Sequence, residues 1–350
     1  MNDLSQLFGG FICEPLETHK PMPKGLKHII NQAALRLLDS EILIGDDFSQ
    51  RLPHVEAKVK QTLPHFEQTF VIDELTEKVR ETGFGPQFHQ IIGLFGSIML
   101  NLTATDAQQA QVDDWLEKGI FGHFLMTDTG GPSLASWASE LIVSDSDDGL
   151  MALKVNKKWG IEAHELGFVM LVVKQASKPY PLTLMLTPEQ CQSLGQSKVG
   201  ASYLDGALQL GNVNGEISVH PEQILKKGGM ASVNRFLTLV RPRFVKALMN
   251  HVLWLADQQR LILDDSNLEN IHFIQETADF FLSQTEFSIH SVNQVLALKF
   301  ASNELLASLV ATNKVKSFAD QRDLLGFTKM EGSSYRCFFE VYAKQKRMRR

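Results

Sequence analysis

DAQQAQVDDWLEKGIFGHFLMTDTGGPSLASW (106–137) is the stretch in which the chain changes grammar. Its first half has the spacing of an amphipathic helix. Gly119 and Gly122 then interrupt it, and FGHFLMTD reads as a strand that ends in a threonine, an acid and a glycine-rich turn. Helical periodicity dominates on one side of this point and short apolar runs on the other.

Downstream, ASELIVSD, LMALKVNKKWG, LGFVMLVVK, PLTLMLT and ALQLGNVNGEISV are short apolar, β-branched runs separated by the turn clusters TGGPS, SDSDDG, SKPYP and YLDG. No helix between them is long enough for βαβ crossovers, so the pattern predicts an antiparallel barrel or sandwich. Upstream, 26–44, 51–83 (closed by Gly83 as a C-cap) and 88–102 read as helices. The last is apolar nearly all round, as a central buried helix is, and its Gly93 and Gly96 suggest close packing. From about 228 helices return: a long one with Pro242 in its interior, which predicts a kink or break, and then 269–319 with an interruption around Ser288. RCFFEVYAKQKRMRR closes the chain as a helix with a solvated basic end. The fold class is therefore α+β: an N-terminal helical domain (1–117), a central β-domain (118–225) and a C-terminal helical bundle (226–350).

The 350 residues exceed what one small core needs. Thirty-four basic residues against 40 acidic give a net charge of −6, which provides no bulk attraction to nucleic acid or anionic lipid. Cys13, Cys191 and Cys337 are odd in number and far apart, which argues against a disulfide framework or a zinc site. No stretch reaches 18 uncharged apolar residues, and MNDLSQLFGG has an acid before any apolar run. The expectation is a cytoplasmic protein with no membrane span. Phosphate-loop, dinucleotide, HExxH and GxSxG motifs are absent, and the 11 histidines do not pair at metal-ligand spacing.

Several segments together resemble the acyl-CoA dehydrogenase family, over roughly residues 100–345. Thr127, Asp128, Thr129, Gly130, Gly131, Pro132 and Ser133 fall on its Thr–Glu–Pro–x–Ala–Gly–Ser motif, with Thr and Ser kept. Leu153, Lys157 and Trp159 fall on the following Leu–x–Gly–x–Lys–x–Trp–Ile–Thr, with Ile161 at the Thr position. The run 206–219 is similar to the strand that ends the family's β-domain, and QQRLIL (258–263) to a helix end carrying a phosphate-binding arginine. KMEGSSYR (329–336) is similar to the segment that carries the catalytic glutamate in many members.

The resemblance implies an FAD flavoprotein: Met126, Thr127, Ser133, Trp159 and Ile161 at the flavin, Arg260 at its pyrophosphate, and Glu331 as the catalytic base. It implies an oxidoreductase that desaturates an acyl thioester, on CoA or on a carrier protein. It further implies a homodimer or homotetramer, re-oxidised by an electron-transfer flavoprotein or by oxygen. The bottom-up reading of Glu331 agrees in kind. Removing an α-proton from a thioester needs a carboxylate in a dry pocket that raises its pKa, and Glu331-Gly332 can turn one out of a helix start. Other readings stand beside this one. Glu331 is also suited to a helix-start acid beside a capping serine, Trp159 to core packing, Asp128 to a turn and Arg260 to a surface ion pair. Ile161 at the flavin-contacting Thr position, the eroded Thr–Glu–Pro motif and Ala319-Asp320 at a family glycine pair favour a member that has lost the chemistry and serves as a binding or assembly protein. A thioester hydrolase or flavin monooxygenase is a third option.

Overall fold

A computed structural model of the chain describes residues 21–39, 61–62, 67–130, 134–143 and 149–348. Its elements are α1 (Lys24–Asp39), β1 (Gln61–Thr62), α2 (Glu67–Thr82), α3 (Gly85–Thr103), α4 (Asp106–Glu117), β2 (Gly122–Leu125), β3 (Glu140–Val143), β4 (Met151–Ile161), β5 (Phe168–Gln175), β6 (Leu182–Leu186), α5 (Pro188–Gln192), β7 (Gly195–Tyr203), β8 (Leu208–Val219), α6 (Met230–Asp257), α7 (Asp265–Ser283), β9 (Glu286–Phe287), α8 (Ile289–Ala311), α9 (Phe318–Phe327) and α10 (Ser334–Met348). The class is α+β, as the spacing predicts. The chain divides into two compact units: a helical one from 1–87 and 237–350, and a β-rich one from Phe88–Phe236. Among the described residues no helix is long and apolar enough to cross a membrane.

The β-rich unit is organised on β5, buried along Phe168–Val173 as its unbroken apolar run requires. β6 pairs with it antiparallel, from Val169↔Leu186 to Val173↔Leu182. β2 pairs with it parallel through Gly122↔Phe168 and Leu125↔Leu171, and β3 parallel through Glu140↔Lys174. The sheet continues β3-β4-β8-β7, antiparallel throughout. It curls over a core that includes Leu125, Leu153, Val155, Leu171, Leu184 and Val213. The two parallel pairs depart from the all-antiparallel expectation for a topological reason: the connection from β2 to β5 is itself the β3–β4 hairpin, long enough to return the chain in the same direction. β7 was not foreseen. GQSKVGASY lies on the sheet edge, mostly exposed, and carries almost no apolar signal. On α3, a Cβ added at Gly96 would lie 3.6 Å from Gly122 O, an ordinary contact, and one added at Gly93 would meet open space, so the close packing expected at these glycines is not required at either.

In the helical unit the element buried on every side is α8. Val292, Asn293, Val295–Leu306 and Leu309 are all buried, and α1, α7, α9 and α10 pack around it. Ser288 caps it, its Oγ accepting from Ser291 N at 3.2 Å, which is the interruption expected there. α2 begins only at Glu67, and Thr69, Ile72, Thr76 and Val79 form its buried stripe; within the expected 51–83 helix Gln61–Thr62 is instead β1, paired antiparallel with β9, and 51–60 and 63–66 lie outside the described residues. Gly83 ends it at φ 78°, a conformation that favours glycine. α6 runs unbroken through Pro242. Proline cannot donate to the Thr238 carbonyl, and one residue further on the Arg243 guanidinium donates to Leu239 O at 2.6 Å, adding a side-chain bond to the weakened turn. His251 lies in the same core, stacked on Trp254 and accepting from Phe84 N at 3.2 Å on Nδ1. Burial pushes its pKa down to about 4, so it stays a neutral acceptor.

Leu171→Ala empties a fully buried position on the strand that three others share, and is expected to cost about 2–5 kcal/mol. Urea unfolding should show a lower midpoint at unchanged m-value; an unchanged midpoint would remove β5 from the core.

Candidate functional site

In the β-rich unit the chain leaves β2 through Met126 and Thr127 and enters a turn built by Asp128. Asp128 Oδ1 accepts from Gly130 N at 2.9 Å and Ala138 N at 2.6 Å, and Oδ2 from Ser139 N at 3.0 Å and Lys157 Nζ at 3.2 Å. Burial acts to raise this carboxyl, but the donors and the Lys157 charge outweigh it and hold it below the usual carboxylate range. Lys157 also donates to Met126 O at 3.2 Å, and burial brings its pKa down to about 8 against the pull of Asp128. The sequence option of a turn acid is what Asp128 is: its oxygens are spent on the fold.

That buried pair positions the candidates around it. Lys158 N donates to Thr127 O at 3.0 Å, so the end of β2 lies against β4. Between Lys157 and Gly160 the β4–β8 register shifts, and Trp159 sits in this bulge at φ 58° with its indole 56% exposed. Asn212 Oδ1 accepts from Trp159 N at 3.2 Å. The indole is therefore presented on the surface of its unit and is not core packing. Thr127 is exposed, Met126 and Ile161 half-buried. Ser133 lies outside the described residues.

In the helical unit Glu331 stands in the loop between α9 and α10 at φ 54°, a left-handed conformation uncommon for a residue with a side chain. Gly332 follows at φ 121°, where an added Cβ would come 3.0 Å from Cys337 Sγ. Ser333 caps α10, its Oγ accepting from Arg336 N at 3.3 Å. Arg241 Nε donates to Glu331 O at 2.7 Å. Burial raises the Glu331 pKa above the usual carboxylate value, opposed by the charges of Arg241 and Lys299. A half-buried carboxylate whose pKa is raised is a stronger proton acceptor than an ordinary glutamate, which is what a general base requires.

Arg260, the expected phosphate ligand, is engaged otherwise. Its Nε donates to Asp320 Oδ2 at 3.0 Å and its Nη2 to Asp320 Oδ1, a fork-on-fork pair; the Asp320 side chain is 4% exposed and that of Arg260 35%. The guanidinium carbon lies 5.4 Å from the Trp254 ring centroid. Asp320 thus neutralises the residue expected at the phosphates.

The candidates fall into separate sets. Met126, Thr127, Trp159 and Ile161 lie together at the end of β2 and the bulge of β4. Glu331 and Arg260 belong to the helical unit, Glu331 with Arg241 and Arg260 with Asp320. The sequence reading missed Arg241, Lys299 and Asn303. Their signal was present as charged and amide residues inside the apolar runs LTLVRPRFV and VLALKFASNELL. Among the described residues no group of three or more His, Cys, Asp or Glu is placed to hold a metal.

Two stability measurements follow. Arg260→Ala and Asp320→Ala should be non-additive in a double-mutant cycle, with a coupling of roughly 0.5–3 kcal/mol by denaturant unfolding; additive effects would mean that the pair is not formed. Asp128→Ala leaves a buried lysine without its counter-charge and should cost about 3–5 kcal/mol. Much of that cost should return when Lys157→Met is added.

No family model matches the chain, and no curated protein does. Solved structures do match. Butyryl-CoA dehydrogenase from Megasphaera elsdenii superposes with a TM-score of 0.57 at 10% identity, over 95% of this chain and 100% of that one. The prolyl acyl carrier protein oxidase AnaB matches with a TM-score of 0.55 at 12% identity, over 92% and 98%. A glutaryl-CoA dehydrogenase from Mycobacterium smegmatis in complex with FADH2 matches with a TM-score of 0.53 at 11% identity, over 95% and 97%. At such identities the likeness is one of architecture, and over nearly its whole length the chain has the acyl-CoA dehydrogenase fold.

Proposed function

We propose that the protein is a flavin-dependent oxidoreductase that desaturates an acyl thioester at Cα–Cβ, with Glu331 as the base. The observation that carries this reading is the state of Glu331: a carboxylate on a left-handed loop, raised by burial, with its backbone held by Arg241. A structural helix-start acid has no need of that conformation, and Ser333 already caps α10. Glu331 would take the α-proton of the thioester onto its carboxylate. Arg241 would keep the loop, and so the carboxylate, in place.

The fit to FAD differs between its two ends. In the β-rich unit the exposed Trp159 and Thr127 and the half-buried Met126 and Ile161 lie at or next to the β4 bulge, where an amphipathic indole suits the flat ring of a flavin. Arg260 does not fit the pyrophosphate, because Asp320 already uses its Nε and Nη2. Met126, Thr127, Trp159 and Ile161 are therefore the residues assigned to the cofactor. Bound there, FAD would supply the acceptor for the β-hydride, chemistry that no side chain can provide. The resemblance further suggests a homodimer or homotetramer re-oxidised by an electron-transfer flavoprotein or by oxygen, and the composition suggests that it acts in the cytoplasm. The similar structures include both CoA-ester dehydrogenases and a carrier-protein oxidase, so CoA and carrier thioesters are both candidate substrates.

The committed Arg260 favours a second reading, in which the same fold binds an acyl thioester without flavin chemistry. The visible spectrum separates the two. The first reading expects a yellow protein, or one that takes up FAD to near stoichiometry and is bleached anaerobically by acyl thioesters; a colourless protein that takes up none would reject it. Glu331→Gln should keep the flavin and lose bleaching by a factor of 10² or more; unchanged bleaching would remove Glu331 as base. Because the base must be ionised and its pKa is raised, the wild-type rate should climb with pH along a limb above the ordinary glutamate value of 4.5.

A further inference from the structure

Lys299 is a buried charge that the proposed reaction leaves without a task. It sits midway along α8 with no solvent exposure, under the Phe244 ring at 5.2 Å. Its Nζ donates to Phe327 O at 3.2 Å and to Asn303 Oδ1. Asn303, one turn further along the same helix, donates from Nδ2 to Gly332 O at 3.0 Å. Arg241 on α6 donates to Glu331 O between them. The carbonyls that open the loop at Phe327 and close it at Glu331 and Gly332 are thus each held by a polar side chain from a buried helix face.

Ordinary stability does not account for this choice. A buried ammonium loses its hydration, and an apolar side chain of similar volume is often at least as stabilising in such a place. Burial brings Lys299 down to about 7, with Cys337 and Glu331 pulling it back up and Arg241 pushing it further down. The groups that face Glu331 electrostatically are Arg241 and Lys299; those that face Cys337 are Arg241, Lys299, Glu340 and Arg336. Arg241 and Lys299 are therefore the cations that favour an ionised Glu331.

We propose that Lys299 is a positioning residue for Glu331: directly at Phe327 and through Asn303 at Gly332 it fixes both ends of the loop that carries the base, and its charge favours the ionised carboxylate. This rests on the reading of Glu331 as the base and adds two residues to it. Geometry and charge separate in the variants. Lys299→Met removes both. Lys299→Arg keeps the charge. Asn303→Ala keeps the charge and frees the Gly332 carbonyl.

The test uses the full chain, labelled with ¹³C at the glutamate carboxyl carbon, with Glu331 assigned as the resonance lost in Glu331→Gln. Titration by NMR reads the Glu331 midpoint whether or not the protein is active. In Lys299→Met the midpoint should rise by about one pH unit, the scale of losing one nearby opposite charge. In Lys299→Arg and Asn303→Ala it should stay within a few tenths. If Lys299→Met does not fold, Lys299→Gln, which keeps a donor for Phe327 and loses the charge, is expected to give the same rise. A midpoint that does not move in the folded neutral variant overturns the proposal. With a desaturated thioester in hand, Asn303→Ala should lower kcat about tenfold at a KM within threefold of wild type; an unchanged kcat removes the loop-holding role. If no thioester is desaturated by the wild-type protein the proposed reaction fails, whereas the midpoint shift still decides the charge role of Lys299.

Discussion

A stretch of helix with no solvent face cannot leave a polar group to water, and Val295–Leu306 of α8 is such a stretch. Any donor or charge on it must be satisfied by the chain itself, at a cost of a few kcal/mol if it is not. Lys299 and Asn303 meet that demand with the carbonyls of Phe327 and Gly332. The loop between α9 and α10 is therefore the obligatory partner of the core. Its left-handed backbone at Glu331 is tolerated because three donors on two buried helices over-determine it. The helical packing and the geometry of the candidate base are one requirement seen from two sides.

The β-rich unit has an analogous arrangement. Lys157 points inward and its charge is met by Asp128 and Met126 O, so the strand is pinned at that residue. The register shift just after it turns Trp159 outward, while the strand resumes its pairing at Gly160↔Gly211. A buried ion pair thus lies two residues before an exposed tryptophan on the same strand. The specificity it provides is local: it aligns β4 with the end of β2.

Much of the architecture was legible because it rests on apolar periodicity. β5 is announced by FVMLVV, the boundary at Ser288 by a capping serine, and the end of α2 by Gly83. β7 was not legible, because an exposed edge strand needs no apolar pattern, nor was the continuity of α6 through Pro242, beside which Arg243 adds a side-chain bond to the Leu239 carbonyl. At the candidate site, EGSS marked a loop before a helix, and the loop is where Glu331 stands. The engagement of Arg260 was not visible, because residues sixty apart in sequence declare an ion pair only once the chain has folded. The role of Lys299 was hidden for the same reason: a lone lysine in an apolar run says that it is buried, but not whose carbonyl it meets.

The left-handed conformation at Glu331 has an evolutionary consequence. At such a φ glycine is relaxed and a residue with a side chain costs on the order of 1 kcal/mol, so the position pulls steadily toward Glu331→Gly. Selection for a sturdier fold alone would erase the carboxylate and leave the architecture intact. A glutamate kept at such a φ is therefore held against a steady conformational pull that the stability of the fold by itself does not supply.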